Sequence, residues 1–252
     1  MPAWCRGAMI ETQHLTKRHR SVTAVDDLSM TAPDGQVTGF VGPNGSGKTS
    51  TMRMMVGLDR PTSGTATIDQ QHLRVHPAPQ RAVGVVLDSG GAPDGMTARA
   101  HLRWLATAGR IPLTRAEHLL EEVGLGSAAS RRVGALSLGM RQRLGIAAAL
   151  LGDPGTIILD EPVNGLDPDG VRWMRRLMRR LAEEGCCVLV SSHLMAEMQQ
   201  TADRVVVIGA GRLLGQFDIS DLDEGTSLED AYLALTADAV QYRAGSNEGN
   251  HP

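Results

Sequence analysis

The sequence predicts an α/β fold with a mainly parallel β-sheet, and three observations support this prediction. Short apolar runs rich in Val and Ile alternate with segments of helical character, which is the pattern of βαβ units. One of these runs leads directly into the glycine-rich stretch GPNGSGKTS at 42–50. The composition is sufficient for a core, because 42% of the 252 residues are apolar and 21% are charged.

The elements can be placed in chain order from apolar runs and turn residues. The turn signal RPTSG at 60–64, for example, separates a helix from a strand. The expected strands are 36–41, 65–68, 82–87, 156–160, 187–192 and 204–208. The expected helices are about 48–57, most of 96–151 with a break around 124–135, about 168–184, a short one from about 194 and a short one at about 227–236.

Composition and charge exclude several classes of function. No stretch approaches the roughly 20 apolar residues that a membrane span needs, and the N-terminus lacks the apolar core of a signal peptide. Cys186 and Cys187 lie in a predicted buried strand and no metal-binding spacing is present, which favours a reduced cytoplasmic protein. The net charge of −3 provides no basic field, so no nucleic-acid partner is expected.

The segment 42–50 matches the phosphate-binding pattern G-x-x-x-x-G-K-[ST]. Glycines at these positions let consecutive backbone N–H groups point inward, and the helix that follows adds its dipole. Lys48, one of only two lysines in the chain, is expected to reach the β- and γ-phosphates, and the Thr49 hydroxyl to bind Mg²⁺. The predicted ATP-binding residues of this loop are Gly42, Pro43, Asn44, Gly45, Ser46, Gly47, Lys48, Thr49 and Ser50.

A pair of acidic residues ends the apolar run TIILDEP. In a parallel sheet, Asp160 and Glu161 would lie beside the phosphate loop. Asp160 suits the Mg²⁺ shell, and Glu161 suits the general base that activates the attacking water.

Three further motifs resemble one family. ALSLGMRQRLGIAAAL at 135–150 resembles the signature segment of ATP-binding cassette (ABC) ATPases, whose usual core is LSGGQ. NGLDP at 164–168 resembles their D-loop, and SSH at 191–193 their switch-histidine loop. The LSLGM variant, GMTARAHLRWLA and LEDAYLALT are most similar to the ATPase subunits of bacitracin and daunorubicin exporters.

The resemblance implies a P-loop NTPase fold of the ABC-ATPase type. It implies an antiparallel N-terminal β portion and a helical signature subdomain at about 88–145, within a single domain spanning 8–218. Residues 219–244 would then be a short C-terminal extension, and the composition of 245–252, GSNEGNHP, predicts a disordered tail.

The resemblance also implies how the motifs work together. Two cassettes pack head to tail, and each ATP lies between one phosphate loop and the other chain's signature. Ser137 and Gly139 would bind the γ-phosphate from across the interface, and Asp167 would couple the two sites. His193 would hold the γ-phosphate and the attacking water.

The sequence departs from the family pattern at several positions. Leu138 stands where the signature core has its first glycine, and Met140 where it has glutamine. Asp88 stands where a Gln that senses Mg²⁺ is usual, and is a candidate metal or water contact. His19 falls where an aromatic normally stacks on adenine; it could stack there, or be an exposed histidine at a strand end.

The expected function is that of the ATP-hydrolysing, Mg²⁺-dependent subunit of an ABC exporter. Its partners would be an integral membrane permease, contacted through 88–97, and a second ATPase chain, most simply an identical one. The protein would then lie on the cytoplasmic face of the membrane. A soluble cassette acting on a cytoplasmic assembly and a nucleotide-binding regulatory module remain alternatives. Helix 168–184 has an arginine-rich face that could suggest nucleic-acid binding. Because the net charge is −3, we interpret it instead as a solvated outer surface.

Overall fold

The structure is a computed structural model that describes residues 9–87, 91–223 and 225–244. Asp88 and the expected tail at 245–252 lie outside these ranges. Within them, no helix is both long and apolar enough to cross a lipid bilayer.

Nine strands and eight α-helices are formed by the described residues. The strands are β1 (Ile10–His19), β2 (Val22–Ala32), β3 (Val37–Val41), β4 (Ser63–Ile68), β5 (Val83–Val86), β6 (Thr156–Asp160), β7 (Cys187–Ser192), β8 (Arg204–Gly209) and β9 (Arg212–Asp218). The helices are α1 (Lys48–Met55), α2 (Pro79–Ala82), α3 (Ala98–Ala108), α4 (Leu113–Glu122), α5 (Leu138–Ala149), α6 (Pro168–Glu183), α7 (Met195–Thr201) and α8 (Leu228–Ala244).

The strands form two sheets, which confirms the predicted fold class. The larger sheet has the order β5-β6-β7-β3-β8-β9 and is parallel except for β9. The smaller sheet, β2-β1-β4, is antiparallel and is the predicted N-terminal β portion. Strand β9 is not among the predicted strands. It pairs with β8 through a tight turn in which Ala210 and Gly211 both have positive φ.

The core lies on both faces of the larger sheet, because successive side chains along each strand point to opposite faces. In β3, Val37 and Val41 join the cluster that packs under α3–α6, whereas Phe40 points to the cluster beneath the smaller sheet. Helix α1 contributes Met52 and Met55 to the second cluster. Strand β3, which precedes the phosphate loop, is therefore buried on both faces, and this holds the start of the loop in place.

The helical region agrees with the prediction in its main features. Helices α3, α4 and α5 occupy 98–149, and the expected break contains only two short 3₁₀ turns between α4 and α5. Helix α8 is longer than the expected 227–236 and packs on α7 and β8. The division into a domain at 8–218, a helical subdomain at about 88–145 and an extension at 219–244 stays a prediction.

The arginine face of α6 differs from the expected solvated surface. Arg175 pairs with Glu197 at 2.7 Å and also contacts Gln200, while Arg179 pairs with Asp203 at 2.6 Å. Arg180 pairs with Glu122 on α4 at 2.5 Å. Long arginine side chains thus join α6 to its neighbours, a pattern that helical periodicity alone could not reveal.

Candidate functional site

The carboxyl ends of β3, β6 and β7 meet at one edge of the larger sheet. The three strands are neighbours, and the register places Asp160 opposite Ser191 and Val41 opposite Ser192. The residues that follow each strand therefore share one crevice, which is where ligands bind in open α/β sheets.

The phosphate loop between β3 and α1 requires glycine for two different reasons. A Cβ at Gly42 would clash with the carbonyl of Ile208 on β8. Gly47 has φ +102° and a Cβ there would clash with the carbonyl of Ala24. The loop is thus pressed between β8 and β2, with its backbone close to both.

A turn from the far end of the chain also holds this loop. The N–H of Gly211 donates to the carbonyl of Ser46 at 3.0 Å, and the N–H of Asp26 donates to the carbonyl of Gly211 at 2.9 Å. The Ser46 hydroxyl is buried and has no hydrogen-bond partner among the described residues. An unsatisfied buried hydroxyl within such a loop fits a ligand that brings acceptor oxygens.

The Lys48 ammonium lies inside the loop and is only 7% exposed. Its Nζ donates to the carbonyls of Gly42 at 2.7 Å and Pro43 at 3.3 Å, and lies 3.9 Å from Glu161 Oε1. Burial lowers the pKa of Lys48, although the nearby carboxylates of Glu161 and Asp160 oppose that shift. A desolvated cation at this place would gain strongly from an anionic ligand.

A chain of hydrogen bonds connects the loop to the acidic pair. Thr49 Oγ1 donates to Asp160 Oδ2 at 2.6 Å, and the Ser191 hydroxyl donates to Asp160 Oδ1. Ser191 Oγ also accepts from the backbone N–H of Glu161 at 2.9 Å. One serine therefore orients the first acid and anchors the backbone of the second.

Glu161 and His193 face one another at the mouth of the crevice. His193 Nδ1 lies 2.9 Å from Glu161 Oε2, so the carboxylate has the lysine on one oxygen and the imidazole on the other. Glu161 has φ +49°, a left-handed conformation that is uncommon for a residue with a side chain. Strain of this kind is concentrated at functional sites, where surrounding bonds maintain it.

Lys48, Thr49, Asp160 and Glu161 line a cavity of about 410 Å³. His193 and Ser191 contact these acids but are not among the described residues that line the cavity. The cavity brings together most of the predicted loop with Asp160 and Glu161. It also includes Gln142, Asn164, Ala24 and Leu87, which were not predicted as site residues.

The missed residues differ in how visible they are in the sequence. Gln142 is 4% exposed and its Nε2 donates to the carbonyl of Pro162 at 3.0 Å, so it supports the segment after Glu161. Ser191 could have been found, because it lies near the end of β7, which neighbours the strand that carries Asp160. Ala24 and Leu87 carry no chemical signal and line the cavity through shape alone.

The remaining predicted residues lie elsewhere. Ser137 and Asp167 are exposed N-caps: Ser137 Oγ accepts from the N–H of Met140 at 3.2 Å, and Asp167 Oδ1 from the N–H of Gly170 at 2.7 Å. Gly139 follows in the first turn of α5, and His19 is exposed at the end of β1. None of these four is among the described residues that line the cavity.

The fold and the crevice define the class of the protein as a P-loop nucleoside triphosphatase, with a phosphate loop, an acidic strand end and a histidine after the adjacent strand. A family model described as ABC transporter matches residues 25–164. The chain belongs to the ATP-binding subunits of ABC transporters and is an ATPase of that family, as the signature and D-loop motifs indicated.

Most of this chain is similar in sequence to ATP-binding proteins of transporters, some characterised and some not. The bacitracin transport ATP-binding protein BcrA of Bacillus licheniformis is 41% identical over 217 residues, which cover 85% of this chain and 71% of that protein. The uncharacterised ABC transporter ATP-binding protein YhcH of Bacillus subtilis is 39% identical, covering 89% of this chain and 74% of that protein. The lantibiotic transport ATP-binding protein SrtF of Streptococcus pyogenes is 31% identical, covering 89% of this chain and 96% of that protein.

Solved structures have the same fold. The ATP-binding subunit of an ABC transporter superposes with a TM-score of 0.82 at 26% identity, covering 90% of this chain and 99% of that chain. A cassette solved as a dimer in a post-hydrolysis state with ADP and Pi has a TM-score of 0.75 at 23% identity, covering 83% and 98%. The curated relatives are named as transport proteins, so they do not favour the two alternative functions.

Proposed function

We propose that this ATPase powers export of a small antibiotic-like molecule through a separate membrane permease. The observation that carries the proposal is the crevice formed by Lys48, Glu161 and His193, in a chain 41% identical to a bacitracin transport subunit. The likeness to the lantibiotic transport subunit supports the same class of cargo.

ATP binding is proposed for the loop 42–50. The N–H groups of the loop and the start of α1 would surround the β- and γ-phosphates, and Lys48 would add a buried positive charge. The orphaned Ser46 hydroxyl fits this role. Stacking of His19 on adenine stays a prediction.

Mg²⁺ fits the oxygen atoms beside the loop. Thr49 Oγ1 and Asp160 Oδ2 are 2.6 Å apart, and both are hard oxygen donors. Mg²⁺ usually takes one or two protein ligands and completes its shell with phosphate oxygens and water, so a larger cluster is unnecessary. Thr49 and Asp160 would hold the ion, which would neutralise phosphate charge, and Asp88 stays a predicted additional contact.

Hydrolysis is assigned to the Glu161–His193 pair. Glu161 would accept a proton from the water that attacks the γ-phosphorus, as the bond from that phosphorus to the bridging oxygen of ADP breaks. His193 Nδ1 holds one carboxylate oxygen at 2.9 Å, which directs the other toward the loop. Ser191 keeps Glu161 in its left-handed conformation through the backbone N–H.

A second copy of the chain is proposed to complete the site. Ser137, Gly139 and Asp167 are surface residues at the starts of two helices, and in one chain they do not line the described cavity. Helix starts favour anions, so the α5 terminus of one chain would meet the γ-phosphate held by the other. The likeness of fold to a dimeric cassette supports this arrangement.

The permease is proposed to dock in a second depression, termed here the groove. The groove has a volume of about 740 Å³ and lies between the strand β5 side and helices α3 and α5. Leu58 and Trp104, which are 60% and 59% exposed, give it an apolar rim, and Arg53, Asp94 and Arg141 add charge. Such a surface suits a short amphipathic helix, and docking there would place the chain on the cytoplasmic face of the membrane.

The experiment is reconstitution with the permease. Detergent extracts of cells that produce the tagged chain should yield one integral membrane protein that binds stoichiometrically, and liposomes containing both should move labelled bacitracin only with ATP. The Glu161→Gln variant should retain binding and lose transport, while Trp104→Ala should lose binding and retain basal ATPase activity. If the tagged parent chain is an active ATPase but no integral membrane protein is recovered with it, the soluble assembly ATPase is favoured instead.

A further inference from the structure

Leu138 lies between the groove and the segment 164–167, which is the D-loop-like NGLD. Its side chain lines the groove and is 41% exposed. On the other side its Cδ2 lies against Gly165 so closely that a Cβ at Gly165 would clash with it. Gly165 has φ +72°, so this position suits glycine for its backbone as well as for space.

Helix α5 contacts the segment 164–167 at a second point and contacts α6 at a third. A Cβ at Gly139 would lie 3.4 Å from Leu166 Cδ2, so the first turn of α5 fits against the D-loop-like segment. One turn further on, the Arg143 guanidinium lies 4.3 Å above the centre of the Trp173 ring on α6. The first turn of α5, capped by Ser137, therefore packs against the segment that leads to the Asp167 cap of α6.

The contact at Gly165 depends on the leucine side chain. The usual signature core LSGGQ has glycine at this position, and glycine has no side chain with which to reach the neighbouring segment. Leu138 also keeps a large part of its surface open to the groove, where a docked partner would press on it. The residue thus connects a docking surface to the segment that carries Asp167.

We propose that Leu138 is a positioning residue: it holds segment 164–167 against the first turn of α5 and transmits the state of the groove to the hydrolysis site. The inference rests on the proposed function, in which Ser137 and Asp167 act across the dimer. If this contact is lost, the distance and orientation between Ser137 and Asp167 would vary. Formation of the closed dimer that hydrolyses ATP would then be impaired more than the binding of ATP to the loop.

The test compares Leu138→Gly and Leu138→Ala with the conservative Leu138→Met, in the otherwise intact protein. Without nucleotide, amide hydrogen exchange of peptide 163–167 should rise about 10-fold in the Gly and Ala variants and stay near the parent value in the Met variant. Exchange in the apolar strand β7 should not change. Under steady-state conditions kcat should fall about 3- to 30-fold with KM for ATP within about 2-fold, and Met should restore kcat.

Two results would overturn the inference. One is unchanged exchange at 163–167 in Leu138→Gly. The other is a general loss of protection and activity that Leu138→Met fails to rescue, which would indicate an ordinary packing role. The exchange experiment needs neither a dimer nor a permease, so a parent chain that fails to dimerise with ATP would refute the proposed dimer separately.

A double-mutant cycle adds a direct test of the contact. Gly165→Ala should slow turnover because the new methyl group strains the backbone and meets Leu138, and Leu138→Gly should relieve the second effect. The loss in kcat for the double variant should therefore be less than the product of the two single losses, by about 3-fold or more. Multiplicative losses would mean that the two residues act independently and would overturn the inference.

Discussion

Glu161 and His193 form a hydrogen-bonded pair in which His193 Nδ1 lies 2.9 Å from one carboxylate oxygen and Lys48 Nζ lies 3.9 Å from the other. The carboxylate is thus oriented from both sides before any substrate is considered. Its two partners belong to separate segments, one after β7 and one at the start of α1. This arrangement supports the proposed role of Glu161 as the general base next to a bound phosphate.

Replacing Glu161 with Gln should reduce kcat by roughly 10²- to 10⁴-fold, because the amide cannot accept the proton of the attacking water. ATP should still bind, and an ATP-dependent dimer should accumulate that is detectable by analytical ultracentrifugation. Glu117→Gln is a matched control, since Glu117 pairs with Arg99 on the surface away from the crevice. Turnover near the parent rate would remove Glu161 as the general base.

Replacing Lys48 with Ala should weaken ATP binding by about 10- to 100-fold, the loss expected for one or two charge-assisted hydrogen bonds. Lys48→Arg should not restore affinity, because the site is closely packed around an ammonium and a planar guanidinium is wider. Lys17→Arg provides the control: its Nζ donates to the carbonyl of Arg60 outside the crevice. Fluorescent-nucleotide titration measures the affinities, and tight binding by Lys48→Ala would contradict the proposed role.

Ser191→Ala removes one acceptor from the Glu161 N–H and one donor to Asp160. Leaving a buried polar group unpaired costs about 1–3 kcal/mol, so the variant should unfold at lower denaturant concentration. Turnover should fall about 10-fold, since Glu161 loses the bond that supports its left-handed backbone. The exposed Ser63→Ala is expected to match the parent in both measurements, and equal behaviour of the two variants would show that Ser191 supports nothing at the site.

His101 should make the fold sensitive to mild acid. It is 6% exposed, its Nδ1 has no hydrogen-bond partner among the described residues, and burial lowers its pKa. The unfolded chain therefore binds more protons below about pH 6.5, and stability is lost as the pH falls through that value. His101→Phe keeps a ring against Trp104 and removes the titration.

Thermal unfolding between pH 7.5 and pH 5.5 checks this expectation. The Tm of the parent should fall further across this interval than that of His101→Phe. The control His118→Gln, at an exposed position on α4, should behave like the parent. Parallel decreases in the parent and His101→Phe would show that His101 does not cause the acid sensitivity.

The sequence predicted those parts of the site whose residues are contiguous. The phosphate loop is one uninterrupted motif, and Asp160 and Glu161 end an apolar strand, so both could be placed at the crevice from spacing and strand order. The left-handed backbone of Glu161 could not, because it depends on Ser191, which is 30 residues further along the chain. Gln142 was missed for the same reason: its role depends on a contact with Pro162.

The fold shows the same division between local and distant information. The parallel core follows from alternating apolar runs, whereas β9 has several half-buried residues and no clear alternation of its own. Its pairing is set by the turn at Ala210 and Gly211 and by β8 beside it. The acidic partners of the α6 arginines lie on α4, on α7 and just after α7. Helical periodicity cannot identify residues on other elements, so the sequence alone predicts only a solvated face.

The bond from Gly211 to Ser46 has a consequence for how the protein is made. The phosphate loop is synthesised early, yet the N–H group that fixes its middle belongs to a turn near the other end of the chain. A polypeptide still emerging from the ribosome can fold its first strands, as N-terminal regions commonly do, but the Ser46 carbonyl has no Gly211 N–H to accept from until β8 and the turn after it are made. The final arrangement of the phosphate loop therefore depends on a contact that becomes available only after β8 has been synthesised.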